Sequence, residues 1–114
     1  MPVNRVLAAV AVADVDGALA WYERLLGRPA DELPMGGLAE WHYPGGAVIQ
    51  VVEDAERAGR SLLTLGVDDL KRELADLRER GVRTDALDDT SSDRVLFATV
   101  TDPEGNVITL VEQR

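Results

Sequence analysis

Residues 102–112 read DPEGNVITLVE, which is a turn sequence followed by a strand sequence. The Asp-Pro-Glu-Gly-Asn segment favours a tight turn, because proline presets its φ angle and glycine adopts turn conformations without steric strain. In the strand that follows, Thr109 alternates with Ile108 and Leu110, so the pattern predicts that the two apolar residues face a core. At its centre, the opposite face of this strand therefore carries a neutral hydroxyl and not a charge.

The same order of elements occurs twice along the chain. Each half begins with an apolar strand, continues into an amphipathic helix and ends in a β-hairpin. The three segments are NRVLAAVAVAD (4–14), DVDGALAWYERLLG (14–27) and LAEWHYPGGAVIQVVE (38–53) in the first half, and SLLTLGVDD (61–69), DDLKRELADLRERG (68–81) and RVLFATVTDPEGNVITLVE (94–112) in the second. Two short further strands are predicted near residues 30–33 and at VRTDAL, residues 82–87.

Each predicted helix has candidate aspartate caps and a glycine at which it ends. The candidate caps are Asp14 or Asp16 with Gly27 for the first helix, and Asp68 or Asp69 with Gly81 for the second. The halves also correspond residue by residue. The matched pairs are Val12 and Val67, Asp14 and Asp69, Leu19 and Leu74, Gln50 and Thr109, and Glu53 and Glu112.

This self-similarity predicts one α+β domain built from two paired β-α-β-β-β modules. The repeat spacing of about 55 residues is too long for a solenoid repeat. The modules span about residues 1–55 and 58–114 of the single domain. Because a curved sheet covered on one side by its helix leaves its other side concave, two such modules can form a cleft.

Composition excludes several classes of protein. The chain has 114 residues, of which 46% are hydrophobic, so it can bury a core, and without cysteine it has no disulfide or thiolate metal site. Its net charge of −9 disfavours nucleic acid and favours a cationic ligand. No segment approaches the roughly 20 apolar residues of a membrane span, and no basic leader is present. We therefore expect a cytoplasmic protein with no membrane partner.

The chain resembles the vicinal oxygen chelate superfamily, which includes glyoxalases, bleomycin-resistance proteins and extradiol dioxygenases. The segments that carry the resemblance are VADVDGALAWYERLLG (12–27), LTLGVDDLKRELADLRERGV (63–82) and DPEGNVITLVE (102–112). The resemblance implies the paired-module fold and a homodimer, with the cleft either within one chain or across the dimer. It leaves the function open, because the superfamily contains lyases, epimerases, dioxygenases, thiol transferases and non-catalytic drug binders.

Enzymes of this superfamily hold a divalent metal through His, Gln or Glu side chains from four strands. The resemblance places these four positions at Leu7, Gln50, Leu62 and Thr109. Leucine has no lone pair to donate, and one amide with one hydroxyl cannot hold a catalytic divalent ion against water. We therefore expect no metal at these positions and no cofactor.

Three neighbouring residues remain as candidates for chemistry or binding. His42 is the only histidine, and Glu40 lies two residues away on the same face of a strand. His42, with Glu40 beside it, could act as a general base or bind an anionic group, or it could simply face solvent. Trp41, on the other face, either packs in the core or stacks on a flat ligand.

These observations predict a metal-free protein that binds a small molecule, either a drug or a metabolite, as bleomycin-resistance proteins do. The residues expected to contact the ligand are Leu7, Glu40, Trp41, His42, Gln50, Leu62 and Thr109. The alternative is a lyase, an isomerase or a dioxygenase-type enzyme of the same fold. Such an enzyme would use His42 and Glu40, or a metal held by other ligands.

Overall fold

The computed structural model describes residues 1–114 and contains two helices and seven strands. The elements, in chain order, are β1 (Val6–Val12), α1 (Val15–Leu26), β2 (Glu32–Met35), β3 (Leu38–Tyr43), β4 (Ala47–Glu53), β5 (Leu62–Gly66), α2 (Leu70–Glu79), β6 (Val95–Thr101) and β7 (Val107–Gln113). Neither helix has the length and apolar composition that a transmembrane helix needs.

The strands form one sheet in each half of the chain, as the repeat predicts. The first sheet has the order β1-β4-β3-β2, and the second has the order β5-β7-β6. In each sheet the first strand of the module pairs in parallel with the last strand, and the remaining pairs are antiparallel. The α+β class and the two-module architecture are therefore confirmed.

The second sheet lacks one strand that the sequence predicts, because residues 82–87 form no regular strand. The Asp85 N–H donates to the Thr99 carbonyl oxygen, and a single bridge joins Asp88 to Phe97. Aspartate is unfavourable in strands, and here the Asp85 carboxylate accepts a 2.5 Å hydrogen bond from the Thr99 hydroxyl. The Asp88 carboxylate also accepts from two downstream backbone N–H groups, which turns the chain into a loop.

The helix ends resolve the alternatives that the sequence left open. Asp14, and not Asp16, caps α1, and its carboxylate accepts a 3.2 Å hydrogen bond from a backbone N–H in the first turn. Asp69, and not Asp68, caps α2 in the same way. Gly27 ends α1 at a φ of 78°, in the left-handed region where glycine carries no steric penalty.

Two equivalent glutamates also tie each helix to its sheet. The Glu53 carboxylate accepts from the Val15 N–H at 3.2 Å, and the Glu112 carboxylate accepts from the Leu70 N–H at 2.7 Å. A carboxylate at the first N–H of a helix is favoured both by hydrogen bonding and by the helix dipole. The matched pair predicted at Glu53 and Glu112 thus has the same structural role in both modules.

One hydrophobic core of 18 buried residues extends through both modules. The alternation predicted for β7 is confirmed, because Ile108 and Leu110 are both buried. Side chains alternate along β1 as well, where Val10 and Val12 are fully buried while Leu7 on the opposite face is 38% exposed. Leu63 is likewise buried, whereas its neighbour Leu62 is 82% exposed. The sheet face opposite the helices therefore carries exposed apolar side chains.

The Asp-Pro-Glu-Gly-Asn turn joins the two modules through a buried set of polar groups. The Asp102 carboxylate accepts from the Tyr22 hydroxyl at 2.6 Å and from Asn106 Nδ2 at 2.8 Å. Asn106 Nδ2 also donates to the Ala11 carbonyl oxygen, and Asn106 Oδ1 accepts from the Ser61 N–H, both at 2.8 Å. We call these five residues the inter-module cluster.

The Tyr22 hydroxyl stays a hydrogen-bond donor to Asp102 at all ordinary pH values. Burial raises the pKa of Tyr22, and its hydrogen bond to Asp102 raises that pKa further. The phenol therefore keeps its proton and donates a hydrogen bond to the Asp102 carboxylate. The turn that marks the fold in the sequence thus serves a structural role, since it connects α1 to the second module.

Candidate ligand-binding site

A row of paired residues crosses the first sheet on the face opposite α1. Glu32 pairs with Glu40, Glu40 with Gln50, and Gln50 with Ala9, so all four side chains lie on one face. We use the name concave face for this face of the first sheet and for the corresponding face of the second sheet, which lies opposite α2.

Glu40, His42 and Gln50 form a hydrogen-bonded polar cluster on the concave face. Gln50 Nε2 donates to Glu40 Oε2 at 2.6 Å, and His42 Nε2 lies 3.1 Å from Glu40 Oε1. Glu40 is only 8% exposed. The hydrogen bond from Gln50, and secondly that involving His42, holds the pKa of Glu40 below its usual value, so the carboxylate is ionised at neutral pH.

No lysine or arginine forms a salt bridge with Glu40. The two arginine salt bridges of the chain are Arg28 with Asp31 and Arg57 with Asp54. His42 is the only potentially cationic group in contact with Glu40. The polar cluster therefore offers a buried negative charge that no lysine or arginine contacts directly, although the positive charge of Arg5 lies close enough to lower the pKa of Glu40 further.

Thr109 lies in a row of threonines on the concave face of the second sheet. It pairs with Thr64 on one side and with Thr99 on the other. Asp85 lies beside this row and accepts from the Thr99 hydroxyl. The row presents neutral hydroxyls, which can orient a hydrogen-bonding ligand but do not form a strong cation site.

All four positions that the resemblance assigns to metal ligands lie on the concave face. Leu7 pairs with Val48 in the first sheet, and Leu62 pairs with Val107 in the second. Gln50 is engaged by Glu40, which leaves Thr109 as the only other position with an oxygen ligand. The chemistry of these side chains does not fit a divalent ion at these positions.

The structure brings together only some of the residues expected to bind a ligand. Glu40, His42 and Gln50 are in direct contact. Leu7 lies near them, because Leu7 and His42 pair with the same residue, Val48, from its two sides. Leu62 and Thr109 lie in the second sheet on separate strands.

The ligand-stacking alternative for Trp41 is corrected by the structure. Trp41 is fully buried on the helix side of β3, and its indole Nε1 donates to the Arg28 carbonyl oxygen at 2.9 Å. It therefore has no exposed surface to offer a ligand, and the core-packing alternative describes it. The cause is strand alternation, since Trp41 lies between Glu40 and His42, which face the other way.

Two features near the polar cluster were missed in the sequence. Glu32 is brought opposite Glu40 by an irregular strand whose register shifts after that pair. Asp31 accepts from the His42 N–H at 2.6 Å, and Arg28 donates to the His42 carbonyl oxygen at 2.6 Å. The three-residue spacing of Arg28 and Asp31 was the available signal, because such spacing permits a local ion pair.

The largest cavity of the protein lies on the other side of the sheets, at the seam where β1 approaches β5. It has a volume of about 490 Å³ and a mostly apolar lining that includes Ala8, Leu25, Leu65 and Leu77. At the other end of the seam, the inter-module cluster holds β1 against the second module. The equivalent first-module turn, Pro44-Gly45-Gly46, has no aspartate or asparagine with which to form a second cluster of this kind.

The two-module fold is that of the glyoxalase-like class of proteins. The model of the glyoxalase-like domain family matches residues 7–111, so the chain belongs to this family. The resemblance inferred from the sequence is thereby confirmed. No curated protein sequence matches the chain significantly.

Solved structures agree with this assignment. A glyoxalase/bleomycin resistance protein from Catenulispora acidiphila is 36% identical over 98% of this chain and 100% of its own, with a TM-score of 0.89. The antibiotic-binding protein TnmS3 from a Streptomyces species is 26% identical over 100% of this chain and 99% of its own, with a TM-score of 0.78. A bleomycin-binding protein solved with bleomycin is 19% identical over 98% of this chain and 100% of its own, with a TM-score of 0.78. At this identity it supports the fold alone.

Proposed function

We propose that the protein binds a small, flat and largely apolar molecule on the concave face, through a cationic or hydrogen-bond-donating group that meets Glu40. The observation that carries this proposal is the buried Glu40 carboxylate, which is held in place by Gln50 and His42 without a lysine or arginine partner. Hydrogen bonds between an ionised carboxylate and a cationic donor are stronger than those between neutral groups, and they are stronger still where water is partly excluded.

The apolar part of the ligand would contact the leucines of the concave face. Leu62 is 82% exposed and Leu7 is 38% exposed. Covering this apolar surface with a ligand would contribute favourably to the free energy of binding. Gln50 and Thr109 would orient polar groups of the ligand. The net charge of −9 would accelerate the approach of a cation at low ionic strength.

A related protein supports a binding role over catalysis. TnmS3, which is 26% identical to this chain, is an antibiotic-binding protein. We propose that this chain likewise sequesters a drug or a metabolite, without a metal at Leu7, Gln50, Leu62 and Thr109.

The 3.1 Å contact between His42 and Glu40 favours an enzyme as the second candidate. A carboxylate that orients an imidazole is a common arrangement for a general base, and it would suit a lyase or an isomerase. A dioxygenase would in addition need a metal held by residues other than the four family positions.

The proposal includes a homodimer in the cytoplasm. Val6 and Met35 are more than half exposed, and β2 is an edge strand whose four residues are all exposed. We expect sedimentation equilibrium at micromolar concentration to give twice the 12.4 kDa chain mass. A mass of one chain across the whole concentration range would contradict the dimer.

We expect a cationic acridine to bind about tenfold more tightly than its uncharged acridone counterpart, because only the cation can pair with Glu40. Isothermal titration calorimetry of the chelator-treated protein measures both affinities, with bleomycin as a third probe. In Glu40→Gln the preference for the cation should disappear, while binding of the uncharged compound should change little. High salt should weaken the binding of the cation more than the binding of the uncharged compound.

Two alanines on β1 provide a matched control for the location of the ligand. Ala9 lies on the concave face beside Gln50, whereas Ala8 lines the seam cavity. Ala9→Leu should weaken binding and Ala8→Leu should not. If Ala8→Leu alone weakens binding, the ligand occupies the seam cavity and the concave-face proposal is wrong. It is equally wrong if none of the three compounds binds.

A further inference from the structure

We propose that Glu32, Glu40 and His42 together bind a divalent first-row transition-metal ion. One ligand atom from each of these side chains lies within 4.8 Å of the other two. The three residues come from β2 and β3, so this site differs from the four positions that superfamily enzymes use. The proposal does not depend on the proposed ligand, since its test uses metal ions alone.

The spacing of the ligand atoms agrees with a common metal centre. Bonds of about 2.0–2.2 Å from zinc to nitrogen or oxygen place neighbouring ligand atoms about 2.9–3.6 Å apart. The distance from Glu40 Oε1 to His42 Nε2 is 3.1 Å, which lies within that range. Glu32 is exposed, so its flexible side chain can close the remaining distance.

The ligand set favours a transition metal over calcium or magnesium. Two carboxylates and one imidazole form the donor set that iron, manganese, cobalt, nickel and zinc accept, whereas the hard ions prefer oxygen ligands only. The two carboxylates also carry the charge that balances a doubly charged cation. Three protein ligands leave further coordination positions for water or a bound molecule.

Gln50 supports the proposed site from outside the ligand set. Its Nε2 donates to Glu40 Oε2 at 2.6 Å, which leaves Oε1 directed toward His42. Hydrogen bonds of this kind orient a ligand carboxylate, and their loss weakens metal binding by about tenfold to a hundredfold. The fixed strand pairing of Glu32 with Glu40 supplies the third ligand.

The test is titration of tag-free, chelator-treated protein with Zn²⁺ by calorimetry and with Co²⁺ by visible absorption. We expect each chain to bind one ion. The visible spectrum of bound Co²⁺ should differ between the wild type and His42→Gln, in which the imidazole ligand is lost. His42→Gln, Glu40→Gln and Glu32→Gln should each weaken binding by about a hundredfold, and Gln50→Ala by about tenfold. Zn²⁺ should also raise the unfolding temperature of the wild type, but not that of His42→Gln.

Glu56→Gln is the matched control, because Glu56 is an exposed glutamate of the loop after β4 and lies outside the cluster. This variant should bind Zn²⁺ as the wild type does. Circular dichroism of each variant establishes that it is folded. The absence of binding of one ion per chain, or wild-type affinity in both His42→Gln and Glu40→Gln, would overturn the proposal.

Discussion

Replacement of Asp102 by alanine is expected to lower the free energy of unfolding by about 3–5 kcal/mol, because it removes several buried hydrogen bonds at once and leaves their donors unsatisfied. The carboxylate accepts four hydrogen bonds, from the Tyr22 hydroxyl, from the Glu104 N–H, and from the Asn106 N–H and Nδ2. Without it, the Tyr22 hydroxyl and part of Asn106 stay buried without a partner. Urea denaturation followed by circular dichroism measures the change.

Two further variants separate the buried network from a simple loss of charge. Tyr22→Phe removes one hydroxyl and keeps the ring, so it should destabilise the protein by about 1–2 kcal/mol. Asp54→Ala removes an aspartate whose salt bridge with Arg57 lies at the surface, and it should change the stability little. If Asp102→Ala proves as mild as Asp54→Ala, the inter-module cluster does not hold the modules together.

Local signals explain why the helices and hairpins could be predicted from the sequence. Asp14 and Gly27 delimit α1 because capping depends on residues within one turn of the helix end. The facing of Thr109 could be predicted because side chains alternate with a period of two along a strand, so Thr109 faces away from the buried Ile108 and Leu110. These signals need no knowledge of the rest of the chain.

Long-range contacts explain most of what the sequence could not provide. The hydrogen bond from the Tyr22 hydroxyl to the Asp102 carboxylate joins residues that are 80 positions apart, so no local sequence pattern could indicate it. Glu32 was missed because the register of β2 shifts after Glu32, and alternation does not predict pairing across such an irregularity. The strand predicted at residues 82–87 is absent, and within this segment the backbone bonds to β6 only through the Asp85 N–H, while the Asp85 side chain bonds the Thr99 hydroxyl.

Trp41 shows the limit of alternation as a guide to function. Its parity places it on the face opposite Glu40, but parity alone does not tell whether a residue near a strand end is covered. The covering groups come from elsewhere in the fold, including the Arg28 carbonyl that accepts the indole N–H. Once this contact is known, Trp41 changes from a candidate ligand contact to a core residue.

Trp41→Ala should lower the free energy of unfolding by about 3–5 kcal/mol, since it removes a fully buried aromatic side chain and leaves a cavity. Trp41→Phe should lower it by about 2–3 kcal/mol, because it keeps one ring but loses the hydrogen bond to the Arg28 carbonyl oxygen. The affinity of folded Trp41→Phe for the cationic acridine should stay within about twofold of wild type, because core and ligand effects at separated sites are nearly independent. Trp21→Phe, the same change at a half-buried position on α1, should destabilise less. Weaker acridine binding by Trp41→Phe at a temperature where the variant is fully folded would return Trp41 to the ligand site and contradict its assignment to the core.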